Sequence, residues 1–240
     1  MAPAGYGSRV EGVHAVTAAV AAGRVEHLIV ESQRRSREEI ARLIEAVGLS
    51  RVTVVDDARA ISESEAPQGV VADCRPITPV ELATLAGESA ALVVLDHLED
   101  PQNVGAIARS AAAAGATGLV ISGRRSAPLG ASTFKAAAGA LERLPVAVVG
   151  SIADALQRLK DRGVWAVGLQ AGSSESLFGL QLLTEPVAVV IGAEGRGLAP
   201  LVAKRCDALA SIPMAAGIES LNASVSAALA VFEIMRVRSS

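Results

Sequence analysis

The stretch "ALVVLDHLEDPQNVGAIARSAAAAGATGLVISG", residues 91–123, decides the fold. An apolar run ends at Asp96, a polar turn follows, an alanine-rich helix is expected over 103–114, and "GLVISG" forms a second apolar run. Two wholly apolar strands joined by a helix indicate parallel strands covered on both faces. The same rhythm continues through "VAVVG", "VWAVGL", "VAVVIG" and "LASIPM", with helices expected near 133–142, 151–161 and 198–206. In 151–161, Ser151 is placed to cap, and Ile152, Ala155, Leu156 and Leu159 form the buried face. A last helix is expected from Leu221 to Arg236.

Upstream of this block the organisation is smaller. "VHAVTAAVAAG" reads as a helix closed by Gly23, followed by strands in "HLIVES", "RVTVVD" and "QGVVADC". Between the first two strands, "SREEIARLIEAVG" carries an expected capping box of Ser36 and Glu39. It also carries the stripe Ile40, Leu43, Ile44 and Val47, and a stop at Gly48. These elements make an αβα unit over 1–75, joined by an ordered proline-bearing connection, 76–89, to a second domain over 90–240.

Composition narrows the classes. The 240 residues are 51% hydrophobic but only 2% aromatic, an α/β palette of Ala, Val, Leu and Ile. A net charge of −3 offers no global field for nucleic acid, although a local basic patch would suffice. Cys74 and Cys206 lack metal-ligand spacing, so a disulfide framework and a structural metal are not expected. With neither a leader nor an apolar run of membrane-spanning length, the expected location is the cytoplasm.

In parallel α/β sheets, ligands sit at the carboxyl ends of strands. Four exits stand out here: "HLEDPQN", "QAGSS", "AEGRG" and "AAGIESLNAS". Three carry glycine, which lets backbone approach a ligand closely. The dinucleotide glycine spacing and the phosphate loop with its Gly-Lys-Ser/Thr end are both absent. Of the polar residues, Asn103 is placed as a helix cap, and Arg109 needs a partner for its planar fork among alanines. Glu194 lies between glycines and would pair with Arg196 or an amide, while Ser220 and Asn222 could cap the last helix. His14, His27 and His97 show no nucleophile or metal pattern and read as ordinary histidines.

Together, "LDHLEDPQNVGAIARSAAAAG", "RSAPLGASTFKAAAGALERLP", "VVIGAEGRGL" and "IPMAAGIESLNASVSAALA" resemble the SpoU (TrmH-like) RNA ribose 2′-O-methyltransferases of the SPOUT superfamily. The similarity is greatest to members that modify a guanosine of 23S ribosomal RNA. The resemblance implies a trefoil knot in the second domain, a first domain of the L30e-like RNA-binding kind, and a homodimer whose active sites borrow residues across the interface. It implies S-adenosylmethionine as cofactor, held by Leu169, Gly192, Gly195, Ile212, Met214 and Leu221. Its implied catalytic set is Asn103, Arg109, Glu194, Ser220 and Asn222. Arg109 would hold a phosphate and stabilise the nascent alkoxide, since a guanidinium stays protonated. Arg124 and Arg125 in "GRRS", and the basic "QRRSR" at 33–37, are candidate RNA contacts. Where the family shows His before Gln-Gly, this chain has Pro67. A tRNA target, an antibiotic-resistance site, a non-catalytic RNA-binding role and a small-molecule α/β enzyme remain as alternatives.

Overall fold

A computed structural model describes residues 5–64, 66–217 and 220–239. The second domain is built on seven parallel strands: β5 (Ala91–Leu95), β6 (Gly118–Ser122), β7 (Val146–Val149), β8 (Trp165–Leu169), β9 (Glu175–Ser176), β10 (Val187–Ile191) and β11 (Ala208–Ser211). Their order across the sheet is β7-β6-β5-β10-β8-β11-β9, so β10 lies between two strands made earlier in the chain. Side chains alternate between two cores, as a sheet covered on both faces requires. Ala91, Val93 and Leu95 enter the core beneath α4 (Pro101–Ala113), α5 (Ala131–Ala137) and α8 (Ala223–Arg238). Leu92 and Val94 enter the other, beneath α3 (Leu82–Leu85), α6 (Ile152–Lys160) and α7 (Pro200–Arg205).

The first domain holds β1 (Arg9–Glu11), α1 (Val13–Ala21), β2 (Val25–Glu31), α2 (Glu38–Val47), β3 (Val52–Val55) and β4 (Val70–Cys74). Its sheet runs β1-β4-β2-β3, with only β2 and β3 parallel. The expected strands form, and β1 is an addition at three residues. The expected capping box does not form, because α2 starts at Glu38 with Arg37 as an unbonded N-cap, leaving Ser36 outside the helix. The apolar stripe of α2 is buried as expected, and Gly48 ends the helix at φ 88°. The 76–89 connection is packed, with Leu82 and Leu85 buried under the sheet and Ile77 pairing with Tyr6.

The domains are clamped together. Arg24 Nε and Nη2 donate to Glu142 Oε2 and Oε1 at 2.7 and 2.5 Å, and the guanidinium lies 5.8 Å from the centre of the Phe134 ring. Within the second domain, α4 and α5 pack at backbone distance. A Cβ on Gly105 would fall 2.5 Å from Thr133 O, which is why the helix mixes glycine with alanine.

Candidate functional site

The loops at the carboxyl ends of β5, β10 and β11 converge on one cluster of side chains. Asp100 caps α4 by accepting from Gln102 N at 2.9 Å, with Pro101 as the first helical residue. The cap therefore belongs to Asp100, and the expected capping role of Asn103 is not the one it plays. Asn103 is 7% exposed and is the third residue of the helix, in its first turn. Its Nδ2 donates to Asp100 Oδ2 at 3.0 Å and to Glu194 Oε1 at 2.8 Å. Its Oδ1 accepts from Asn222 Nδ2 at 3.0 Å, and that nitrogen also donates to Glu194 Oε1 at 2.8 Å. Asn222 Oδ1 meanwhile caps α8, accepting from Ser224 N at 2.8 Å. Glu194 thus pairs with two amides rather than with Arg196, and its Oε2 takes no bond among the described residues.

Glu194 sits on a tight turn over 193–197, closed by hydrogen bonds between Ala193 and Gly197 in both directions. That turn folds back over Gly192, where a Cβ would meet Gly197 C at 2.2 Å. Only glycine allows the approach.

Two cavities flank the turn. The first, about 590 Å3, is lined by all six expected cofactor residues: Leu169, Gly192, Gly195, Ile212, Met214 and Leu221. Glu194, Ser220 and Asn222 complete its rim. Apolar side chains on one wall and glycine main chain on another suit a ligand with a flat apolar part and polar edges. The second cavity, about 640 Å3, is bordered by His97, Glu99, Asp100, Asn103, Arg125 and the other side of Glu194. Asn103, Glu194 and Asn222 form the wall between the two.

Three expected site residues lie apart from this wall. Arg109 is exposed and borders a separate alanine-lined groove with Arg143. Six residues beyond Asn103, it is turned by about 120° around the helix, so one protomer does not bring the two together. Arg124 is exposed, its backbone N–H donating to Ser122 Oγ at 3.2 Å, and only its neighbour Arg125 reaches the second cavity. Ser220 lines the first cavity without capping α8. His97, read from sequence as an ordinary histidine, borders the second cavity with its Nδ1 2.6 Å from Asp96 Oδ1.

Among the described residues there is no group of three or more His, Cys, Asp or Glu side chains able to hold a metal. Likewise, no helix among them is long and apolar enough to cross a membrane.

The architecture is that of a parallel α/β protein whose glycine-bearing loops line a ligand-sized cavity beside a carboxylate–amide cluster. Residues 90–232 match the SpoU rRNA Methylase family, and residues 9–80 match the RNA 2′-O ribose methyltransferase substrate-binding family. The chain belongs to the SpoU methylase family. It is 38% identical over 95% of its length to a tRNA/rRNA methyltransferase of Synechocystis, of which it spans 62%. It is 35% identical to a 23S rRNA (guanosine-2′-O-)-methyltransferase of Ralstonia nicotianae, over 95% of each chain. Its fold superposes on the SpoU methyltransferase AviRb of Streptomyces viridochromogenes, crystallised with AdoMet, at a TM-score of 0.80. That match has 30% identity and covers 97% of this chain and 90% of the other.

Proposed function

We propose that the protein transfers a methyl group from S-adenosylmethionine to a ribose 2′-hydroxyl in RNA, with a guanosine of 23S ribosomal RNA as target. The observation that carries this reading is the Asn103–Glu194–Asn222 wall, which places fixed amides and an open carboxylate oxygen between two ligand-sized cavities. The first cavity fits the cofactor, whose sulfonium supplies an electrophilic methyl group. Leu169, Ile212, Met214 and Leu221 would hold its apolar part, Gly192 and Gly195 its polar edges, and Glu194 Oε2 would face its positive charge. Asn103 and Asn222 fix Glu194, and Ser220 shapes the rim. Arg125, with Arg124 beside it, would contact RNA phosphate, as would the 1–75 domain. The reaction would take place in the cytoplasm, and the family resemblance supports a trefoil knot in the second domain.

The homodimer is supported by α8. Val225, Leu229, Phe232 and Met235 are 47, 36, 42 and 41% exposed and form an apolar stripe opposite the buried face. Since Arg109 points away from its own site, we place it in the partner's, holding phosphate and stabilising the alkoxide.

The test is methyl-labelled cofactor supplied with separate tRNA and ribosomal RNA pools, followed by mapping of the modified ribose. Label at a ribosomal guanosine is the expected result. Label in tRNA moves the target, and no label in either pool overturns the reading. Mixed dimers of Arg109→Ala and Asn103→Ala chains should regain activity, because one site per dimer is intact if Arg109 acts across the interface. No recovery would place Arg109 in its own protomer's site.

A further inference from the structure

Methylating a ribose oxygen requires a destination for its proton, and few groups in the site can take it. Arg109 is a guanidinium and stays protonated. Asn103, Ser220 and Asn222 are not bases. Glu194 Oε1 accepts from two amides, its open Oε2 is the oxygen assigned above to the cofactor's positive charge, and carboxylates match proton transfer near neutral pH less well than imidazole does. The second cavity also holds Glu99 and Asp100, carboxylates of which Asp100 accepts from Gln102 N and Asn103 Nδ2. It holds one imidazole among its lining residues, His97, beside Asn103 and Glu194.

His97 is held in a defined way. Its Nδ1 lies 2.6 Å from Asp96 Oδ1, and Asp96 is 1% exposed. The other oxygen of Asp96 accepts from Ala199 N at 2.7 Å, so the carboxylate is fixed from both sides. With Nδ1–H donated to Asp96, the nitrogen left to accept a proton is Nε2. The backbone of His97 is left-handed, at φ 58°, uncommon for a residue other than glycine. Facing it are Glu99 and Asp100 from its own loop, Arg125 from the loop after β6, and Glu194 and Arg196 from the 193–197 turn. The two arginines suit the phosphates of a bound nucleotide. A cavity of about 640 Å3 has the size of a small-molecule site.

We propose that this cavity receives the target nucleotide and that His97 accepts the proton of the ribose 2′-hydroxyl. The proposal rests on the methyltransferase reading above. As the O–H bond breaks, the proton passes to His97 Nε2. The oxygen forms its bond to the methyl carbon, and the electron pair of the broken C–S bond stays on sulfur, neutralising the sulfonium. The imidazolium then releases its proton to water.

His97→Asn separates this role from a structural one. Asparagine tolerates the left-handed backbone and can still donate to Asp96, but does not accept a proton. His97→Gly, which adopts that backbone freely, serves as a second variant. Each should lower kcat by about 100-fold or more, the usual size of general-base loss. KM for RNA and affinity for cofactor should stay close to wild type. The wild type should show an acid limb in its kcat–pH profile that His97→Asn lacks. Wild-type kcat in His97→Asn, or an acid limb that survives the change, overturns the proposal while leaving the methyltransferase reading standing. A wild type that labels no RNA overturns both.

Discussion

At the scale of single residues, Asn222 serves two ends with one side chain. Its oxygen caps α8 and its nitrogen joins the Glu194 cluster, so the helix cap and the proposed site meet in one amide. The two can be separated by substitution. Serine caps helices about as well as asparagine but carries no amide to reach Glu194. Asn222→Ser should melt near the wild-type temperature yet lose about tenfold or more in methylation rate, the scale of a hydrogen bond to a charged group. Asn222→Ala should lose the same activity and a further ~1 kcal/mol of stability. Thermal melts and labelling rates measured together distinguish these outcomes. The same reasoning explains why the roles of Asn103 were only half legible. Its position at a helix start suggested a cap, but Asp100 three residues earlier, with proline after it, is the better one.

At the scale of elements, the 193–197 turn depends on Gly192. Gly192→Ala would drive a methyl group into Gly197 and displace the turn that carries Glu194. We expect a stability loss of about 1–3 kcal/mol, the range for overpacking, and S-adenosylmethionine binding weakened by at least about tenfold on titration. Binding of wild-type strength would show that the turn shifts without consequence. Long apolar runs made β5, β6, β10 and their helices readable from sequence, because burial on both faces leaves an uninterrupted signal. β1 and β9 were not readable, since three and two residues carry no periodicity and exist only through pairing with distant strands. The Ser36 capping box failed because local preference yields where the chain leaves a preceding 3-10 turn at Ser32–Arg34. Motif resemblance named together six residues that line one cavity, whereas helical geometry alone already set Arg109 on a different face from Asn103.

At the scale of the whole molecule, the Arg24–Glu142 pair sets how the first domain sits on the second. The two side chains are 11% and 3% exposed, so removing one strands a buried charge. Arg24→Ala should cost about 3 kcal/mol, in the range for breaking a buried pair. The double change Arg24→Met with Glu142→Leu should cost clearly less, because no charge is left unpaired. Denaturant unfolding of the three proteins tests this, and equal losses in both variants would count against a buried-charge cost.

The position of β10 between β5 and β8 has a further consequence, for synthesis on the ribosome. The inner edge of β5 is complete by Leu95, but its native neighbour begins only at Val187. At about 5–20 residues per second, that edge waits roughly 5–20 s for its partner. β8 emerges first and offers a wrong partner of the same parallel type, so the nascent chain must hold a gap open in its own sheet. A chaperone that shields the edge of β5 during that interval would raise the yield of active protein without touching its final stability.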